Sequence, residues 1–86
     1  MMDENEDTFA ELLVLTKEYR VSMKINRTTY GTMGESNQCS AEVVIENDST
    51  KLTGYAWESN NDAMIARANA LRAAVLSVAA KARAIR

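Results

Sequence analysis

The sequence predicts an α+β domain with the element order helix, three strands, helix (αβββα). Three observations support this fold class. Apolar residues recur at helical spacing near the N-terminus, they alternate with polar residues in three later runs, and an alanine-rich segment with helical spacing ends the chain. We expect a three-stranded antiparallel sheet with both helices packed on one face, the second of them long.

The first helix is predicted from about Phe9 to Glu18. Thr8 and Glu11 form a capping-box pattern, in which the threonine side chain accepts a hydrogen bond from an early helix amide and the glutamate reaches back. Residues 1–7 are mostly acidic, and we expect them to form a flexible tail. Residues 8–86 are predicted to be a single folded domain, since a chain of 86 residues supports only one core.

The strands are predicted where the apolar period changes to two. The first begins at Tyr19, where four apolar residues alternate with polar ones. Residues 27–38 are rich in glycine and small polar residues, so we expect a turn or loop there. The second and third strands are predicted over residues 39–46 and 51–58, and Asn47, Asp48 and Ser49 mark the turn between them.

The third strand carries small residues on one face and aromatic residues on the other. Gly54 and Ala56 would allow a helix to approach the sheet closely, so we assign their face to the inside. Tyr55 and Trp57 then point outward from the sheet.

The last helix is predicted from Ser59 to Arg86, with Ser59 and Asp62 as a cap-like start. Its predicted buried stripe consists of Met64, Ala68, Leu71, Val75, Val78, Ala82 and Ile85. About 27 helical residues reach ~40 Å, which is longer than strands of about six residues. We therefore expect the helix beyond about Val78 to project or to meet a partner. The remaining alanines reflect helix propensity, or helix pairing in a dimer.

Composition excludes several functional classes. The chain has no histidine and one cysteine, so a zinc site or a nucleophilic triad cannot be assembled from the usual residues. We expect no cofactor, no metal and no enzymatic activity. The net charge of −2 disfavours general attraction to phosphate. The lone Cys39, the acidic start and the short apolar runs predict a cytoplasmic protein with no membrane segment.

The segment from Lys51 to Ala63 places spaced small residues on a strand that runs through a serine into an alanine-rich helix. In this segment, and in the order of elements over about residues 8–80, the chain resembles the double-stranded RNA-binding domain. The resemblance implies the αβββα fold and binding to RNA duplexes. The family's lysine cluster would fall on residues 60–62, which are Asn, Asn and Asp, and its Gly-Pro-x-His loop on residues 31–38, which contain neither proline nor histidine. Glu11 alone matches a polar position that contacts the minor groove.

The leading functional hypothesis is a small binding protein that acts through protein contacts, as an adaptor or as a phage-style inhibitor of a nucleic-acid machine. The contacts would be made through the open sheet face around Tyr55 and Trp57 or through the projecting end of the last helix. The candidate interaction residues are Tyr55, Trp57, Lys24, Glu42, Arg72, Lys81 and Arg83. The exposed aromatic pair, with Tyr30 nearby, would serve as a protein anchor or as a base-stacking platform, unless a ring packs against the sheet. A nucleic-acid binder of the double-stranded RNA-binding type and a structural homodimer remain the alternatives.

Overall fold

The structure, a computed structural model, describes residues 4–30 and 36–85, with side chains for residues 8–26 and 37–85. It confirms the predicted fold class. The elements are α1 (Glu4–Glu18), β1 (Arg20–Tyr30), β2 (Ser36–Glu46), β3 (Lys51–Asn60) and α2 (Ala63–Ala84). The strands form one antiparallel sheet in the order β1-β2-β3, so β1 and β3 are the edge strands.

Both helices pack on the same face of the sheet. Leu15 of α1 lies in one buried cluster with the inward-facing residues of β2 and the buried face of α2. The central strand contributes the most enclosed side chains of the sheet, Cys39, Ala41, Val43 and Ile45. Burial of these apolar side chains is the main favourable contribution to folding.

The contact between α2 and the sheet is close because small residues meet there. A Cβ atom built on Gly54 would overlap the carbonyl oxygen of Ala74 and would lie 2.7 Å from the amide nitrogen of Val78. The α2 residues that are buried are Ala66, Ala70, Ala74, Val75, Val78, Ala79 and Ala82. Four of these are alanines outside the predicted stripe, whereas Met64, Ala68 and Ile85 are exposed. The predicted stripe is wrong in this respect, because the close approach selects the smallest residues rather than the most apolar.

The strands are longer than predicted. β1 continues to Tyr30 and β2 begins at Ser36, so most of the predicted loop at residues 27–38 is paired backbone, and residues 31–35 lie outside the described residues. Thr28, Thr29 and Tyr30 are good strand formers, which explains the extension.

The greater strand length removes the predicted projection of the last helix. Strands of 10 or 11 residues span about 35 Å, and the 22 residues of α2 span about 33 Å. α2 therefore fits over the sheet, and Val78, Ala79 and Ala82 near its C-terminal end are buried. The expectation of a projecting end beyond Val78 is wrong.

α2 begins after Asp62 and not at Ser59. β3 runs to Asn60, which pairs with Asn37 of the extended β2, so Ser59 lies in a strand. The Asn37 side-chain amide donates to the carbonyl of Asn61 at 3.0 Å and holds the connection in place. The Asp62 carboxylate caps α2 by accepting from the amides of the second and third helical residues at 2.9 and 3.4 Å.

The start of α1 differs from the prediction, whereas the turn between β2 and β3 agrees with it. α1 begins at Glu4 and not near Phe9, so Thr8 lies inside the helix instead of capping it. Residues 1–3 of the predicted tail lie outside the described residues. The predicted turn after β2 is confirmed: the Asn47 side-chain oxygen accepts from the amides of Ser49 at 3.0 Å and Thr50 at 2.9 Å.

Replacing Gly54 with alanine is expected to destabilise the protein strongly. The added methyl group meets helix backbone, which cannot rotate away as a side chain does, so α2 has to move as a unit. We expect a loss of about 3 kcal/mol in the free energy of unfolding, measured by urea denaturation. Lys51→Ala, at an exposed position of the same strand, is the control, and a Gly54→Ala variant as stable as this control would contradict the close packing.

Replacing Asp62 with alanine is expected to lower the free energy of unfolding by about 1 kcal/mol, because two amides at the start of α2 lose their acceptor. Circular dichroism during urea unfolding measures the change. Asn61→Ala alters the exposed neighbour and should shift stability by less than about 0.5 kcal/mol. Equal effects of the two substitutions would argue against a capping role.

Candidate interaction surface

The face of the sheet opposite the helices carries two large exposed aromatic side chains. Tyr55 and Trp57 are each 57% exposed. They lie two residues apart on β3, so their side chains leave the same face about 7 Å apart. The prediction that both rings point away from the helices is confirmed.

Strand register places a polar neighbour beside each ring. Tyr55 pairs with Glu42 of β2, which pairs in turn with Lys24 of β1. Trp57 pairs with Ser40, and Ser40 pairs with Asn26. These two rows form the aromatic end of the open sheet face, and we use that name for the residues Lys24, Asn26, Ser40, Glu42, Tyr55 and Trp57.

A shallow depression of about 270 Å³ lies at this end. It is lined by Asn26, Gln38, Cys39, Ser40, Tyr55 and Trp57. The Cys39 side chain belongs to the buried core on the other side of the sheet, so only its backbone faces the depression. The depression therefore offers two aromatic rings, amide groups and a hydroxyl, which suit apolar contact combined with hydrogen bonds.

The charges of the open face are nearly balanced. Arg20 and Glu46 form an ion pair with 3.8 Å between nitrogen and oxygen, and Lys51 is the register partner of Glu46 on β3. Lys24 and Glu42 face each other across β1 and β2. Because positive and negative side chains alternate, the face has no strong field of one sign.

Three of the predicted surface residues lie elsewhere. The Lys81 ammonium donates to the backbone carbonyl of Thr53 at 2.6 Å. The Arg83 guanidinium donates to the Glu11 carboxylate at 2.8 Å and so links α2 to α1. Arg72 lines a cavity between the helices. These three residues belong to α2 and lie on the helix-bearing side of the sheet, apart from Tyr55 and Trp57, and the C-terminal part of α2 packs against the rest of the domain instead of projecting.

Nothing in the sequence pattern singles out Asn26, Gln38 and Ser40 as interaction residues. Gln38 fell in the expected loop, and only the strand register shows that Asn26 and Ser40 lie beside Trp57. The side chain of Tyr30, predicted to lie near the aromatic pair, is outside the described residues.

No group of three or more His, Cys, Asp or Glu side chains with the arrangement of a metal site occurs among the described residues. By length and composition, α2 is the one helix in the described part of the chain that would be able to cross a bilayer. A core helix of a globular domain meets the same criterion, and α2 forms part of the core.

Comparison with known proteins gives no match: no protein-family model, curated protein or solved structure is significantly similar to this chain. The function of the surface is therefore inferred from its own geometry.

Trp57 is the only tryptophan, so its fluorescence reports directly on the aromatic end. We expect the emission of a water-exposed indole in the folded protein, with acrylamide quenching close to that of the urea-unfolded chain. Emission shifted to the blue and protected from acrylamide would contradict the exposure of this ring.

Proposed function

We propose that the protein is a non-enzymatic binding domain that engages a protein partner through the aromatic end of the open sheet face. The observation that supports this proposal is the exposure of Tyr55 and Trp57, side by side on a strand whose other face is packed into the core. Tyrosine and tryptophan are enriched among the residues that dominate binding energy at protein interfaces.

The sheet holds these rings at low entropic cost. Each ring has only two side-chain torsions to fix on binding, and the paired backbone beneath it is already ordered. The amide and hydroxyl groups of Asn26 and Ser40 lie beside the rings and supply hydrogen bonds at their margin. A partner would thus meet an apolar centre with a polar border, which is the usual organisation of a protein interface.

A protein partner fits the charges of the face better than a nucleic acid does. Nucleic-acid binders neutralise phosphates with lysine and arginine, but the basic residues of this face alternate with Glu42 and Glu46. At the start of α2, where the double-stranded RNA-binding family has lysines, the Asp62 carboxylate caps the helix. The RNA-binding resemblance stays a prediction, and an adaptor or an inhibitor of a nucleic-acid machine are the roles we propose within the protein-binding class.

The test begins with affinity capture from the native host, using the wild-type protein and the Tyr55→Ala/Trp57→Ala variant. Captured proteins that depend on the two rings are then purified, and their affinity is measured by calorimetry. Trp57→Ala alone should weaken binding by about 30-fold, corresponding to a hot-spot loss of about 2 kcal/mol. Ile85→Ala, which shortens an exposed apolar side chain on the C-terminal side of α2, is the matched control and should leave the affinity unchanged.

Three outcomes would overturn the proposal. One is a partner whose affinity is indifferent to both rings. The second is tight, salt-sensitive retention of duplex RNA in a gel-shift titration, which would favour the nucleic-acid alternative. The third is sedimentation of the free protein as a dimer that Trp57→Ala dissociates, which would assign the rings to a structural homodimer.

A further inference from the structure

The depression at the aromatic end is too small to enclose a whole ligand. Its volume is about 270 Å³. Sites that enclose a complete small molecule usually measure roughly 300–1,000 Å³. The depression is also shallow and lies on an open sheet face, so an occupant is free to continue beyond it at both ends. These dimensions suit a few residues of a longer polypeptide.

The side chains around the depression offer hydrogen-bond donors and carry no charge. The indole of Trp57 is a donor only, whereas the Tyr55 phenol, the Asn26 and Gln38 amides and the Ser40 hydroxyl can donate as well as accept. In the described part of the chain, no hydrogen bond within the domain uses any of these five side chains. A matching ligand is therefore uncharged and presents acceptor groups next to apolar surface.

The backbone of a polyproline II helix meets this requirement. It has no internal hydrogen bonds, so all its carbonyl groups can accept from a binding surface. An α-helix uses its carbonyls internally and would leave the donors of the depression unpaired. An added β-strand would pair along the edge of β3, whereas Tyr55 and Trp57 project from its face.

The spacing of the rings agrees with this conformation. A polyproline II helix has three residues per turn and rises ~3.1 Å per residue, so it resembles a three-sided prism. When one side of the prism lies on a flat surface, residues i and i+2 touch the surface ~6 Å apart and residue i+1 points away. Tyr55 and Trp57 leave the sheet about 7 Å apart, close to that separation.

On the basis of the protein-binding function proposed above, we propose that the aromatic end binds a proline-rich segment of the partner in the polyproline II conformation. Two prolines in a Pro-X-Pro sequence pack against Tyr55 and Trp57, and the middle side chain points to solvent. Asn26 and Gln38 donate to backbone carbonyls of the segment. Because proline fixes this conformation before binding, a small contact area loses little to ordering of the ligand.

The test is selection from a displayed library of random peptides of 12 residues on the wild-type protein. Peptides that also bind the Tyr55→Ala/Trp57→Ala variant are removed in each round. The enriched peptides should share Pro-X-Pro and show no preference for charged residues. Titration of a synthetic enriched peptide should shift the Trp57 emission to the blue, because the ligand excludes water from the indole.

Substitutions in the peptide test its conformation. Replacing either proline with alanine should weaken binding by about tenfold, since both a ring contact and the pre-formed conformation are lost. Replacing the middle residue with alanine should change the affinity by less than about twofold, because that side chain points away from the rings.

Substitutions in the protein test the donor groups. Asn26→Asp keeps the shape of the side chain but replaces its donor amide with a carboxylate that only accepts, so affinity for the peptide should fall by about tenfold. Ser22→Asp is the matched control, because it adds the same charge to the same face of β1, about 13 Å away and outside the depression. It should change the affinity by less than about twofold.

The proposal is overturned if no peptide is enriched, if the enriched peptides lack Pro-X-Pro, or if alanine is tolerated in place of both prolines. Equal weakening by Asn26→Asp and Ser22→Asp, in variants shown by circular dichroism to be folded, would also contradict it. A captured host protein that needs both rings but binds through a segment without Pro-X-Pro would overturn this proposal alone and leave the protein-binding function standing. A host partner indifferent to the rings would overturn both.

Discussion

The contact between Gly54 and the backbone of α2 determines how the domain is built. With no side chain at this position, the helix lies directly on the strand, and the carbonyl of Ala74 and the amide of Val78 occupy the space where a Cβ would be. Small residues fit best along such a close interface, so five alanines of α2 are buried there with Val75 and Val78, while Met64 and Ile65 turn outward. The position of α2 over β2 and β3 follows, and with it the incomplete cover of β1.

The open aromatic face and the incomplete cover of β1 are both consequences of this arrangement. Because Gly54 and Ala56 must face the helix, strand alternation directs Tyr55 and Trp57 to the open side. Because α2 lies close to β3, the inward side of β1 remains partly bare, with Met23 and Ile25 beside Leu71 and Met64. One packing constraint thus creates an aromatic surface on one side of the sheet and an apolar groove on the other.

The sequence predicts the fold and the aromatic pair because both depend on local alternation. Apolar residues occupy every second position of β1, and this pattern can be read from neighbouring residues alone. The same holds for the turn at Asn47, whose side chain bonds to backbone only two and three residues away. The start of α2 was not predictable in this way, since Ser59 and Asp62 are both good caps and the choice depends on how far β2 extends. Similarly, the partners of Lys81 and Arg83 are 28 and 72 residues away along the chain, and only the tertiary structure brings them together.

The hydrogen bond from Lys81 to Thr53 has a consequence for solubility. Edge strands present unpaired backbone groups that another chain can extend into an intermolecular sheet, which is the first step of fibril growth. β3 is an edge strand and also bears the two exposed rings, a combination that favours such aggregation. A lysine ammonium bound to one of its carbonyls places a hydrated charge along this edge, which opposes the addition of another strand there.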